Sequence, residues 1–95
     1  MKMKEDDVKA YVAAAAGYYV VWPAHEEVDE VHQLSMTPIV AWAVYEHWAD
    51  PICAESKPNS YLILNPDGSV MWPEGAQFKN LEEYLNDVKE KRLTT

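Results

Sequence analysis

The sequence predicts an α+β fold: a two-layer domain in which an antiparallel sheet of about four strands carries N- and C-terminal helices packed on one face. Three observations predict it. Apolar residues recur at helical spacing near both ends of the chain. The runs between are β-branched and aromatic. Those runs follow one another through short, turn-rich links with no helix between them. Strands joined in that way pair antiparallel, because parallel pairing needs a long crossover. The 95 residues suffice for a single domain, residues 1–95, with one modest core.

The first element expected is a helix over "DDVKAYVAAAAG". Val8, Tyr11, Val12 and Ala15 fall at i, i+3, i+4 and i+7 and draw one apolar stripe. Asp6 or Asp7 suits its start, and Gly17 suits its left-handed stop. "YYVVW" (18–22), closed by Pro23, reads as a strand buried on both faces or at a subunit contact. Residues 24–30 read as an acidic turn or short helix. A strand is expected from about Val31, broken at Thr37-Pro38 because proline cannot donate to a ladder. "IVAWAVYEH" (39–47) is the expected central strand. Val40, Trp42 and Val44 lie on one face, with Ile39, Ala41, Ala43 and Tyr45 on the other. The small alanines suit a face covered by helices.

"WADPICAESKPN" (48–59) reads as loop, punctuated by Pro51 and Pro58. "SYLILNPDGSVMW" reads as a hairpin: Pro66 presets φ for a type I turn, and Gly68 accepts the positive φ that follows. "FKNLEEYLNDVKEKRL" reads as the closing helix. Asn80 and Glu83 make a capping-box pair, Leu81, Tyr84, Leu85 and Val88 form the buried stripe, and Lys89, Lys91 and Arg92 sit where the dipole favours cations.

The net charge is −8 and the composition includes 4 Trp, 6 Tyr and 1 Phe. Negative charge argues against nucleic acid and against anionic membranes, whose phosphates it repels. No window is apolar enough to span a bilayer, and the acids Glu5, Asp6 and Asp7 spoil a signal-peptide reading of the first residues. A lone Cys53 cannot form an internal disulfide and fits a reducing compartment, so a cytoplasmic location is expected.

Chemistry-bearing constellations are weak. His25, Asp29 and His32 share a face only if their segment is helical, and no metal-ligand spacing of known type is present, so no metal or other cofactor is expected. Cys53 lies among acids such as Asp50 and Glu55, which disfavour a thiolate, and no nucleophile elbow surrounds any serine, so no catalytic residue is assigned. One asymmetry stands out. Lys and Arg are absent between Lys9 and Lys57, and that span holds Glu26, Glu27, Asp29 and Glu30 together with Trp22, Trp42, Tyr45 and Trp48. Rings bordered by acids suit the capture of another protein with a basic surface. Surplus rings and an open sheet edge also suit a homodimer. The expected function is therefore a small acidic non-enzymatic interaction module of inhibitor or accessory type, with those eight as its expected partner residues. A second reading is a ligand-binding or enzymatic pocket between sheet and helices, lined by Tyr11, Tyr18, Trp42 and Tyr84 with a histidine such as His25, His32 or His47 as anchor.

Overall fold

The structure is a computed structural model that describes residues 8–94. Seven strands form a single antiparallel sheet: β1 (Ala10–Ala13), β2 (Tyr19–Val21), β3 (Met36–Val44), β4 (Ala49–Cys53), β5 (Leu62–Leu64), β6 (Val70–Met71) and β7 (Gln77–Phe78). One helix, α1 (Leu81–Thr94), follows. The expected pair of terminal helices on a four-stranded sheet is corrected on two counts. The segment read as an N-terminal helix is β1 in its described part, with its Asp6 and Asp7 cap outside the described residues, and the segment read as a loop contains β4.

The first error has a clear cause. A helix of about ten residues is marginal in water unless its apolar stripe is covered. Here no layer covers residues 10–13, all of which are exposed. The same residues instead pair with the upper half of β3, Ala10 opposite Val44 through Ala13 opposite Ala41. Tyr11 and Val12 fit a strand at least as well as a helix.

β3 organises the molecule. Along one edge it pairs first with β2, Met36 to Pro38 opposite Val21 to Tyr19, and then with β1. The Ile39 amide donates to Tyr18 O at 2.9 Å and the Ala14 amide to Val40 O at 3.1 Å, so β1 and β2 lie end to end on that edge. Gly17, at φ +101°, turns the chain between them. Along its other edge β3 pairs with β4, the Tyr45 amide donating to Trp48 O and the Ala54 amide to Pro38 O. A bulge between Ile39 and Ala41 lets the one strand serve both partners. β3 therefore runs through Pro38 without a break, because the missing N–H falls on the side where only a carbonyl is needed. Ahead of it, Val31–Gln33 is a short 3₁₀ turn, and the expected strand there is absent.

The bulge also resets the expected faces of β3. Ile39 and Trp42 pack in one cluster, on the face carrying Val20 and Ile63, with Tyr18, Trp22, Tyr61 and Met71 around them. The opposite face carries the larger core of Val21, Leu62, Val70, Val28 and Leu34, closed by Tyr84 and Leu85 of α1. Neighbours Val20 and Val21 are both fully buried, on opposite faces, which explains why that run is apolar throughout. α1 begins as expected: the Glu83 amide donates to Asn80 Oδ1 and Glu83 Oε1 accepts from the Lys79 amide, each at 2.8 Å. The helix covers only the β5–β7 end of the sheet. The radius of gyration is 14.7 Å, against about 12 Å for a compact chain of this length.

Candidate functional site

β1, the second half of β3, and β4 form a three-stranded arm that no helix covers. Its residues follow from the register. Val12, Trp42 and Pro51 make one row across the arm, and Ala10, Val44 and Ala49 make the next row on that face. Tyr11, Ala43 and Asp50 make a row on the reverse face. At the tip, where β3 turns into β4, Tyr45 and Trp48 stack nearly parallel, with ring centroids 4.2 Å apart and planes 3° apart. Tyr11 stands beside Ala43, whereas Trp42 lies between Val12 and Pro51 and packs on the Val20, Ile39 and Ile63 cluster, so the rings left open are those of Tyr11 and Trp48.

The exposures show the result. Tyr11 is 70%, Val12 49%, Val40 50% and Trp48 53% exposed. Among the described residues, the large apolar side chains left most exposed are those four, all on the arm, and Leu93 near the end of α1. On the reverse face, near the tip, the surface becomes polar. The Tyr61 hydroxyl donates to Asp50 Oδ1 at 3.1 Å, Lys57 Nζ pairs with Asp50 Oδ2 at 3.2 Å, and the same ammonium lies 5.7 Å from the Tyr61 ring centroid. Burial, followed by the Asp50 carboxylate, pushes the Tyr61 phenol above the ordinary tyrosine range. Burial also raises the Cys53 thiol, with the Lys57 charge opposing and Asp50 adding. The acid effect expected for Cys53 is thus secondary to desolvation, and the thiol stays protonated at neutral pH.

The expected partner residues divide into separate places. Trp42, Tyr45 and Trp48 belong to the arm, while Trp22 packs in the cluster at its base. Glu26, Glu27, Asp29 and Glu30 lie instead on the loop that packs beside α1. Arg92 donates to His25 O at 2.6 Å and pairs with Asp29 Oδ1 at 3.5 Å, tying that loop to the helix. The acids therefore do not border the exposed rings. Glu46, next to His47 at the arm's tip, and Asp50 on β4 are the acids nearest to Trp48 in the chain, each two residues away.

The expected pocket residues divide too. Tyr18 meets Trp42 edge-to-face at 5.4 Å, but Tyr84 sits in the opposite core, its hydroxyl accepting from the Ala24 amide at 2.9 Å. Tyr11 is on the arm's outer strand, and His32 and His47 are exposed on a 3₁₀ turn and at the arm's tip. One cleft beside α1, about 490 Å³, is open and lined by Pro23, Ala24, Glu26, Trp72, Tyr84 and Arg92 among others. His25, Asp29 and His32 do not converge, and no group of three ligand-type side chains placed for a metal occurs among the described residues. No described helix is long and apolar enough to cross a membrane.

Val12 and Val40 are contact candidates that sequence reasoning passes over: Val12 falls on the apolar stripe of the expected first helix, and Val40 on one face of the expected central strand. No family model matches the chain, and no curated protein or solved structure matches it.

Proposed function

We propose that this protein is a small non-enzymatic interaction module that binds a protein surface, a second copy of itself first of all, through the β1–β3–β4 arm. The observation that carries this reading is the concentration of exposed Tyr11, Val12, Val40 and Trp48 on one uncovered part of the sheet. Exposed apolar surface of that kind marks an interaction site in a water-soluble domain, and Tyr and Trp are the ring types that dominate binding energy. Asp50 ties the arm to Tyr61 and Lys57, which lowers the ordering cost of presenting those rings. With a net charge of −8, a partner other than the chain itself would carry a basic surface, and complementary charge would speed the encounter. The protonated free thiol of Cys53 suits a reducing compartment such as the cytoplasm.

Sedimentation velocity over a range of micromolar concentrations tests the reading, with Trp48→Ala and Val40→Asp as variants. The wild type should gain mass with concentration, and both variants should need higher concentration to do so. A wild type that stays monomeric at high micromolar concentration removes self-association. Variants that associate as the wild type does remove the arm as the surface.

A further inference from the structure

The sheet has three outer edges, and they differ in how they are protected. β7 is two residues long and runs into α1. β4 is longer, but the hydrogen bonds of Tyr45 to Trp48 and Ala54 to Pro38 turn the backbone groups of residues 48, 50, 52 and 54 toward β3. Ala49, Pro51 and Cys53 therefore face outward, and Pro51 sets a residue with no N–H at the centre of that edge. Proline and short length are the usual devices that stop one sheet edge from pairing with another.

β1 has neither device. The Ala14 amide donates to Val40 O, and the register carries that alternation back to Val12 and Ala10, so the even-numbered residues 10, 12 and 14 turn toward β3, with the Lys9 amide adding a bond to Val44 O at the strand's start. Tyr11 and Ala13 then point their amides and carbonyls outward, and no strand pairs with that side among the described residues. Neither residue is charged or proline, and the side chains beside them, Tyr11 and Val12, are the apolar groups already found exposed.

We infer that β1 is a pairing edge and that its occupant is β1 of a second copy, joined antiparallel about a two-fold axis so that two arms become one continuous six-stranded ribbon. This rests on the interaction reading above and specifies its geometry. Antiparallel pairing is self-complementary: Tyr11 and Ala13 of each copy supply both donors and acceptors, as a two-fold contact requires. It also satisfies the charge constraint. Each β1 is preceded in the chain by Glu5, Asp6 and Asp7, and antiparallel strands keep their two N-terminal ends apart, whereas parallel ones would bring the two acidic runs together. Four-residue strands with flanking rings bury less than the roughly 1,200 Å² of a durable interface, so the dimer is weak, with dissociation on the order of micromolar concentration. Screening of the repulsion between two chains of charge −8 makes added salt favour it.

Ala13→Pro deletes an outward N–H while leaving the bonds from β1 to β3 in place, and Tyr11→Lys puts a charge on the edge. Sedimentation velocity, with circular dichroism to confirm folding, should show dimerisation weakened about tenfold or more by each, as expected when both copies lose a main-chain donor or gain a like charge. Should Ala13→Pro fail to fold, Tyr11→Lys decides alone. Folded edge variants that dimerise as the wild type does, while Trp48→Ala weakens the dimer, would leave the arm as the surface and overturn the edge geometry. A wild type that remains monomeric at high micromolar concentration would overturn both.

Discussion

Gly17 shows how much a single residue contributes to the path of β3's partner strands. Its φ of +101° lies in the left-handed region, and a Cβ built there would come within 3.0 Å of Pro66 Cβ. Gly17→Ala thus meets both backbone strain and a crowded ring, and should lower unfolding free energy by about 1–2 kcal/mol in a denaturant titration. Tyr61 makes a second residue-level prediction, on pH. Its folded-state phenol is raised by burial first and then by Asp50. A raised group stabilises fully below the ordinary tyrosine value and loses that contribution as pH climbs past it. Stability should therefore fall in alkali above about pH 10. Tyr61→Phe should cost about 0.5–1 kcal/mol at neutral pH, for one half-exposed hydrogen bond, and make the alkaline decline shallower. An unchanged alkaline slope in the variant would remove Tyr61 as its source.

At the scale of elements, two turns share one local code. Asn65-Pro66-Asp67-Gly68 closes with Gly68 N donating to Asn65 O at 2.9 Å and Asn65 N to Ser69 O at 2.8 Å. Trp72-Pro73-Glu74-Gly75 closes in the same way, Gly75 N to Trp72 O at 3.0 Å and Trp72 N to Ala76 O at 2.9 Å. The first was read from sequence and the second was not, although the same proline and glycine logic applies to it; its flanking strands are too short to announce themselves. The first turn is braced further by Asp67 accepting from both the Ser69 amide and hydroxyl, which holds its carboxyl below the usual range. α1 was equally legible, because its cap, its stripe and its basic end are all local features. Asn80→Ala should cost about 1 kcal/mol by thermal melting, the usual loss for an N-cap. What sequence reasoning could not settle is set by tertiary pairing. Residues 10–13 carry a helical stripe but are needed by an unpaired edge of β3. Pro51 looked like a loop marker, yet it sits on the one side of β4 where its missing donor faces away from the ladder. The candidate site was legible in part. Trp42, Tyr45 and Trp48 gather on the arm, but Glu26 to Glu30 fold back on α1, an association that depends on Arg92 from the far end of the chain.

On the scale of the whole molecule, the chain is unevenly covered. α1 and the 23–34 segment close one core over β2, β5 and β6, while the β1–β3–β4 arm extends beyond them, exposed along β1 and at its tip, with Ala43 and Pro51 buried within it. The one described helix, 14 residues long, is too short to cover a seven-stranded sheet, and four of the five large apolar side chains left exposed, all but Leu93, lie on the uncovered part. The proposed function puts partner contact on this arm and not on the helix side. Backbone amide shifts, followed by NMR as the protein is diluted from high to low micromolar concentration, distinguish the two. The moving resonances should cluster at residues 9–14, 40–45 and 48–53 while those of α1 hold still. Shifts confined to α1 and the 25–30 loop, or none anywhere, would contradict it.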